Sequence, residues 1–285
     1  MKKYIVAIIL LISLSVCLFS CSGNESTFSI QFLDVGQGDS ALVECDGHYM
    51  LIDGGDTGAS NKVLSTLIEN DVRTLDILVA SHLHKDHIGG LLEIFDYVQQ
   101  VNLAISNDND ADTEIFQSFQ GILDENRLEL KIPTVGEKYA LGSATIEILD
   151  VSTLNENDSL VILITYGNTR FLFSGDIEAD AQRRIADKYM NDVDSEFKIN
   201  LIKMPHHGSH PSEEYKESAL YYFLRTFMPD YAVISVGKGN KYNHPHELTL
   251  DMLNDLGAKT YRTDINGDII VKSNGQEILI ESHKY

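Results

Sequence analysis

The stretch from Ser81 to Gly90 reads SHLHKDHIGG and carries a high density of side chains that bind metals. Four of them fall within six positions: His82, His84, Asp86 and His87. Imidazoles and carboxylates are good ligands for divalent ions such as Zn2+ and Mn2+. The alternative is that these are ordinary surface histidines on a polar turn. That alternative does not explain why four metal-binding residues occur at this spacing. The stretch therefore predicts a metal centre.

The flanking residues place this stretch at the end of a strand. Leu75–Ala80 is rich in Leu, Ile and Val and is typical of a buried strand, and a helical pattern follows Gly89 and Gly90. Proteins built from strands and helices bind ligands at this end of a strand. In an extended loop, Asp86 would share a side with the two preceding histidines and His87 would point to the other side. One loop would then supply two adjacent metals.

Two more carboxylates follow predicted strands. Asp53 comes after His48–Ile52 and beside a glycine pair. That position suits a residue that orients metal ligands, or a simple turn aspartate. Asp176 follows Arg170–Phe173. Its two oxygens could bridge two cations, or it could cap the helix predicted at Ala179–Met190.

Histidines also follow a later strand. Phe197–Met204 leads into a turn that carries His206 and His207, and a loop further on carries His244. Strands followed by helices recur in both halves of the chain, 28–166 and 167–282. This pattern predicts two packed sheets with helices outside, within one domain.

The acidic composition limits the choice of partners. The formal net charge is −21, from 43 acidic and 22 basic residues. Such a charge repels phosphate backbones and argues against broad, sequence-independent binding of nucleic acid. It does not exclude phosphate chemistry at a local metal centre, because the ions carry their own positive charge.

The N-terminus has the pattern of a targeting segment. Lys2 and Lys3 precede the apolar run Tyr4–Phe19, whose 16 residues are short for a membrane span. The run ends just before Cys21 and resembles a bacterial lipoprotein signal, in which Cys21 would be lipidated. The alternative is an uncleaved N-terminal anchor. Both predict an extracytoplasmic, membrane-anchored protein with a signal segment at 1–21, a linker at 22–27 and a folded domain at 28–285.

Several motifs occur in a characteristic order: FLDVGQGDSALVE, LIDGG, HKDHIGG, SGD, PHHGS and AVISVG followed by NHPH. Together they resemble the metallo-β-lactamase superfamily, which has the signature HxHxDH and a four-layer αββα sandwich. The resemblance covers about 28–282. It is most specific to the extracellular hydrolase domain of the ComEC competence family and to related phosphodiesterases, such as the choline-phosphate esterases of teichoic acid.

The resemblance implies a role for each candidate residue around two divalent ions, Zn2+ or Mn2+. His82 and His84 would hold one ion, and Asp86, His87 and one of the pair His206/His207 the other. Asp176 would bridge the ions, and Asp53 would lie behind the ligands. His207 is the favoured ligand, with His206 contacting substrate, although the reverse assignment stays open.

The chain departs from the superfamily at one point. A further histidine ligand is usual between the HxHxDH loop and the bridging aspartate, but no histidine occurs from 88 to 205. Asn157 and Asp158 stand near that position. The first ion would then be weakly held, completed by Asp158 or water, or absent. His244 could steady charge on a phosphoryl oxygen, or it could be an ordinary loop histidine.

These features predict a metal-dependent hydrolase. The ions would lower the pKa of bound water and supply hydroxide as the nucleophile, with Asp86 orienting it and a metal-bound water or His206 protonating the leaving group. The expected substrate is a phosphodiester of nucleic acid or of the cell envelope, and the acidic surface disfavours long nucleic acid. The alternatives are a lactone or β-lactam hydrolase, and a non-catalytic lipid-anchored accessory protein with a degraded metal site. No obligate protein partner is inferred.

Overall fold

The chain forms seventeen strands in the residues that the computed structural model describes, which are 27–107, 113–151, 157–190, 198–210 and 217–283. In chain order they are β1 Phe28–Phe32, β2 Ala41–Cys45, β3 His48–Ile52, β4 Thr74–Leu75, β5 Ile77–Ala80, β6 Gln100–Val101, β7 Ala104–Ser106, β8 Leu130–Lys131, β9 Lys138–Leu141, β10 Ala144–Val151, β11 Leu160–Tyr166, β12 Thr169–Phe173, β13 Leu201–Lys203, β14 Tyr231–Ile234, β15 Lys259–Arg262, β16 Asp268–Ser273 and β17 Ile278–His283.

Helices connect many of these strands. The α-helices of the described residues are α1 Ser60–Glu69, α2 Lys85–Ile88, α3 Glu114–Glu125, α4 Ala179–Met190, α5 Ala219–Phe227, α6 Glu247–Asp255 and α7 Thr263–Asn266. Three 3-10 helices cover Thr57–Ala59, Gly89–Asp96 and Pro205–Gly208. None of the helices in the described part of the chain is long and apolar enough to span a bilayer. The predicted signal segment, including Cys21, lies outside the described residues.

Two large sheets pack face to face. One has the strand order β17-β16-β1-β2-β3-β5-β7-β8, and the other has the order β15-β14-β13-β12-β11-β10-β9. Their inner faces share one apolar core, in which Phe28 stacks on Phe171 and Phe32 on Phe173, with ring centroids 4.9 Å and 5.5 Å apart. The buried alternate residues of β1 face this core, as the period-two pattern of the sequence predicts.

Helices cover the outer face of each sheet. Val63 and Leu67 of α1 and Phe119 of α3 pack on the first sheet. Ile185 of α4 and Phe223 of α5 pack on the second. The arrangement is the predicted four-layer αββα sandwich.

The boundary between the two sheets does not fall between the two halves of the sequence. β9, β10 and β11 precede residue 167 but belong to the second sheet, and β16 and β17 return to the first. β16 pairs antiparallel with β1, from Phe28 opposite Ser273 to Phe32 opposite Ile269. This pairing covers an edge of β1 that would otherwise expose unpaired backbone groups.

The parallel parts of the sheets collect the candidate residues at one edge. β3 runs parallel to β5, and β12 runs parallel to β13, which runs parallel to β14. Because parallel strands end at the same edge, the loops after them lie close together. Asp53, the SHLHKDH stretch, Asp176 and His207 follow β3, β5, β12 and β13 in that order.

Candidate metal centre

The loop after β5 is not extended throughout. His84 is extended, with φ −76° and ψ 155°, but Lys85–Ile88 form the helical turn α2, in which the amides of His87 and Ile88 donate to the His84 carbonyl. The predicted alternation of side chains is therefore wrong for Asp86. The helical turn brings Asp86 and His87 into one group instead of placing them on opposite sides.

Four side chains from three loops converge at the edge of the sheets: Asp86, His87, Asp176 and His207. We call them the four-residue cluster. Nε2 of His207 lies 3.3 Å from Asp86 Oδ2 and 3.5 Å from Asp176 Oδ2, and Nε2 of His87 lies 3.3 Å from the same Asp176 oxygen. One potential ligand atom from each residue lies within 4.8 Å of all the others. The resemblance implied this grouping and favoured His207 over His206, and the structure brings His207 into it. That these residues bind a metal stays a prediction.

The donor set of the four-residue cluster fits a divalent metal. Nε2 of His87 and Oδ1 of Asp176 are buried and form no hydrogen bond within the described residues. Leaving such atoms without a partner is costly, and a bound cation would satisfy both. Two imidazoles and two carboxylates supply nitrogen and oxygen ligands of hard to intermediate character, which suit Zn2+ or Mn2+.

The charges of neighbouring side chains shift the pKa values of the cluster residues strongly. Burial lowers the pKa of His207, but the carboxylates of Asp176 and Asp39 outweigh it and raise the value to about 10. Burial also opposes the charge on His87, yet Asp176 and Asp53 raise its pKa well above the usual range. For Asp176 the direction is reversed: burial raises its pKa, but His207 and His87 hold it well below normal. Without a metal, the two imidazoles therefore hold protons that a metal would displace.

Each histidine of the cluster has a carboxylate behind it. Nδ1 of His87 lies 2.9 Å from Asp53 Oδ2, and Asp53 also accepts from the amide and hydroxyl of Ser81, both at 2.7 Å. Nδ1 of His207 lies 3.0 Å from the Ser235 carbonyl and 3.3 Å from Asp39 Oδ1. Such partners fix the ring orientation and leave Nε2 free for a metal. Asp53 lies where the sequence predicted.

Sequence reasoning missed Asp39 and Lys203. Both side chains are nearly fully buried and form an ion pair with each other. Asp39 lies between β1 and β2, within the motif FLDVGQGDSALVE, and no role was assigned to it from the sequence. The available signal for Lys203 was a basic residue between the apolar residues Ile202 and Met204 at the end of a strand; burial of such a residue requires a counter-charge.

His82 and His84 form a second group, which we call the histidine pair. Their ring centroids are 4.6 Å apart, and His82 lies 4.0 Å from the ring of His87. Nε2 of His82 is buried and forms no hydrogen bond within the described residues. Burial and the charge of His87 lower the pKa of His82 well below normal, so its ring is neutral and can donate a lone pair. The pair offers two ligands for an ion.

A serine occupies the place next to the histidine pair. Ser159 Oγ lies 3.3 Å from His82 Nδ1 and accepts from the Asp176 amide at 2.9 Å. Asn157 instead donates to Glu178 at 2.8 Å, and the buried Asp158 accepts from Asn107 through its carbonyl. The groups of three or more potential ligands found among the described residues include neither member of the pair nor Asp158. The prediction that Asp158 completes the first site stays a prediction.

His206 and His244 lie beside the four-residue cluster. His206 has φ +46°, its side chain is 27% exposed, and its Nδ1 lies 3.4 Å from Glu178 Oε1. The rings of His206 and His244 are 5.6 Å apart. Burial and the charges of His206 and His207 lower the pKa of His244 to about 4, so this ring is neutral at physiological pH.

Residues 33–223 match the sequence model of the metallo-beta-lactamase superfamily, and the chain belongs to that superfamily. Two curated relatives are ComE operon protein 3 from Bacillus subtilis and competence protein ComA from Neisseria gonorrhoeae. They are 24% and 27% identical over 88% and 85% of this chain. The alignments cover 34% and 32% of those proteins, so the chain spans about a third of their length. Both are competence proteins of the ComEC family, which confirms the resemblance noted from the motifs.

A solved structure with the same fold is the metallo-beta-lactamase fold protein YhfI from Bacillus subtilis. It superimposes with a TM-score of 0.56 at 14% identity, over 86% of this chain and 100% of that one. At this identity the likeness establishes the fold alone. The fold and the candidate Asp/His cluster together are those of a metal-dependent hydrolase.

Proposed function

We propose that the protein is a phosphodiesterase that works with two divalent ions, Zn2+ or Mn2+. The observation that carries the proposal is the four-residue cluster, whose ligand atoms lie within 4.8 Å of one another. When bound, such ions supply Lewis acidity, which activates water near neutral pH and offsets charge on phosphoryl oxygens. The four-residue cluster would hold one ion, and the histidine pair with Asp176 would hold the other.

Two side chains would act on the substrate directly. The Asp86 side chain is 33% exposed, so its carboxylate can orient the attacking water as well as bind metal. The His206 side chain is 27% exposed and its ring lies 6.1 Å from that of His207, so it can donate a proton to the leaving oxygen. Glu178 would orient His206, because its Oε1 lies 3.4 Å from His206 Nδ1 and accepts from Asn157 at 2.8 Å.

His244 would contribute as a neutral group. With its pKa near 4, it carries no charge at physiological pH. It lies 5.6 Å from the His206 ring, close enough to hydrogen bond to a phosphoryl oxygen presented to that histidine. We assign it to substrate binding, together with Asn157 acting through Glu178. Asp158 is 1% exposed, which argues against direct contact with substrate.

Two clefts beside the centre favour a chain-like substrate. One, of about 270 Å³, lies against His206 and Ser209 and is lined by Glu178 and Asp180. The other, of about 640 Å³, adjoins His84 and is lined in part by Lys85 and Glu114. The carboxylates of the first cleft disfavour a polyanion such as long nucleic acid. They favour a cell-envelope phosphodiester that carries cationic groups.

The test uses purified protein loaded with Mn2+ or Zn2+ and a chromogenic phosphodiester. We expect metal-dependent turnover that Asp176→Ala removes. Turnover of nitrocefin or a lactone without turnover of the phosphodiester would replace this function with carbonyl hydrolysis. A protein that holds less than one equivalent of metal and hydrolyses neither substrate would be the non-catalytic accessory protein.

We also propose that the protein is a lipid-anchored, extracytoplasmic protein whose partners are its phosphodiester substrate and the membrane. The support is the basic start, the apolar run and Cys21, all of which lie outside the described residues. Mass spectrometry of the mature N-terminus would show a lipidated Cys21, and Cys21→Ser would abolish the lipid. An unmodified Met1 on the membrane-bound protein would favour the uncleaved anchor instead.

A further inference from the structure

Lys203 places a positive charge behind the four-residue cluster. Its side chain is 3% exposed and pairs with the carboxylate of Asp39, which is 7% exposed. An ammonium group buried in this way is stable only when its charge is compensated. Lys203 belongs to β13, and His207 follows four residues later on the same strand exit. The ion pair therefore lies where the strand delivers a ligand to the cluster.

The backbone of Asp39 is tied to the metal-binding loop. Its amide donates to the Asp86 carbonyl at 3.1 Å, and its carbonyl accepts from Gly55 at 2.7 Å. A Cβ at Gly38 would lie 2.5 Å from the Asp86 carbonyl oxygen, so this close approach requires glycine. The side chain is thus anchored at its base, and its two oxygens reach in different directions.

Those two oxygens connect Lys203 to His207. Oδ2 of Asp39 contacts the ammonium, and Oδ1 lies 3.3 Å from Nδ1 of His207. Asp53 approaches Nδ1 of His87 more closely, at 2.9 Å, and there the carboxylate is held by the neutral donors of Ser81. Behind His207, the group that holds the carboxylate is the ammonium of Lys203 instead of a serine.

We propose that Lys203 is a positioning residue of the metal centre. It holds the Asp39 carboxylate 3.3 Å from Nδ1 of His207, and this contact, together with the Ser235 carbonyl 3.0 Å from the same nitrogen, keeps Nε2 of His207 directed at the four-residue cluster. The inference rests on the metal-binding part of the proposed function and not on the phosphodiester substrate. Asp39, Asp53 and His87 form a second group of potential metal ligands. In that group the Lys203 ammonium already compensates the charge of Asp39.

The direction in which metal affinity changes when Lys203 is removed separates a positioning role from a simple charge effect. A positive charge near the centre repels a metal ion, so removing Lys203 should tighten metal binding if charge alone matters. If Lys203 acts through Asp39 and His207, its removal should weaken binding. Loss of a partner behind a metal ligand typically costs about 10- to 100-fold in metal affinity.

The experiment titrates Mn2+ into metal-free protein by calorimetry, with no substrate present. We expect Lys203→Met to weaken binding of the Mn2+ ion held by the four-residue cluster, the tighter of the two equivalents, about 10- to 100-fold. Lys62→Met is the matched control, because Lys62 also pairs with a buried carboxylate, Asp268, that belongs to no candidate metal group. It should leave Mn2+ affinity unchanged. Unchanged or tighter binding in Lys203→Met would overturn the proposal.

A second set of variants covers the case in which Lys203→Met leaves Asp39 uncompensated and fails to fold. Asp39→Ala/Lys203→Met leaves neither charge in the interior, and its loss of affinity should equal that of Asp39→Ala alone, because both residues act through one contact. Wild-type affinity in the double variant, or a loss larger than that of Asp39→Ala, would contradict the proposal. The visible spectrum of bound Co2+ should change in the same variants. A protein that binds metal but hydrolyses no phosphodiester leaves this test intact.

Discussion

The four-residue cluster and the histidine pair lie side by side but are built differently. The cluster takes its side chains from loops after three strands, and each of its histidines has a carboxylate behind it. The histidine pair comes from one loop, and His82 contacts the hydroxyls of Ser81 and Ser159 instead. A ligand set drawn from three loops is fixed by the packing of both sheets before a metal arrives. The cluster should therefore bind metal more tightly than the pair.

Removing Asp176 should have the largest effect, because this carboxylate contacts both histidines of the cluster. We expect Asp176→Ala to lower the affinity for the tighter metal more than about 100-fold, beyond the cost of losing a supporting partner. Hydrolysis should fall to background. Calorimetry and elemental analysis measure the metal, and Asp251→Ala, at an exposed aspartate that lines neither cleft, is the control. A full equivalent retained by Asp176→Ala would contradict the assignment of Asp176 as a ligand.

Replacing one histidine from the four-residue cluster and one from the histidine pair tests whether the cluster binds metal more tightly. His207→Ala should abolish the tighter equivalent, with an effect of about 100-fold or more. His82→Ala should leave that equivalent in place and remove only the weaker one. Stoichiometry at saturating and at limiting Mn2+ distinguishes the two outcomes. Equal losses in both variants would mean that the two groups form one inseparable site.

The pH should affect the two groups differently. In the metal-free protein, the raised pKa values of His207, about 10, and of His87 stabilise the fold below the ordinary imidazole pKa. That stabilisation is lost as the pH rises toward 10. A metal must displace these protons, so its affinity for the cluster should rise about tenfold per pH unit for each proton displaced. His82 is already neutral, so the weaker equivalent should respond little.

Calorimetry at pH 6.5, 7.5 and 8.5 measures this dependence. In His82→Ala, which keeps only the cluster, the Mn2+ affinity should rise steeply across the series. In His207→Ala, the residual binding should stay nearly constant. A cluster affinity that does not change with pH would show that the two imidazoles are unprotonated before the metal binds.

Much of this candidate centre could be predicted because the residues that could bind a metal follow strands in short motifs. His82, His84, His87, Asp176 and His207 each come after a strand, at the edge where parallel strands end. Asp53 could be placed for the same reason. The division of the sheets could not, because β16 pairs with β1 across most of the chain and periodicity carries no information about such partners.

The residues that were missed depend on contacts between distant parts of the chain. Asp39 and Lys203 are separated by most of the sequence, and only the packing of the two sheets brings them together. Asp86 was placed on the wrong side for a local reason. An extended loop alternates its side chains, but the chain turns into α2 at Lys85 and changes the period.

The smallest expected effect comes from adding a ligand to the histidine pair. Ser159 lies against His82 and has no nitrogen to offer a metal, so Ser159→His would place an imidazole where the pair lacks a third ligand. We expect the weaker equivalent to bind about tenfold more tightly, and the tighter equivalent to change little. The hydrogen bond from the Asp176 amide to Ser159 would be lost, at a cost of about 1 kcal/mol in the free energy of unfolding.

Ser159→Asn is the matched control, since it also enlarges the side chain without supplying an imidazole. Thermal unfolding with and without Mn2+ separates the loss of the hydrogen bond from the gain in metal binding. If Ser159→His binds the weaker equivalent no better than Ser159→Asn does, the missing ligand is not what limits the pair. The arrangement of His82 and His84, whose ring centroids lie 4.6 Å apart, would then be the limiting feature.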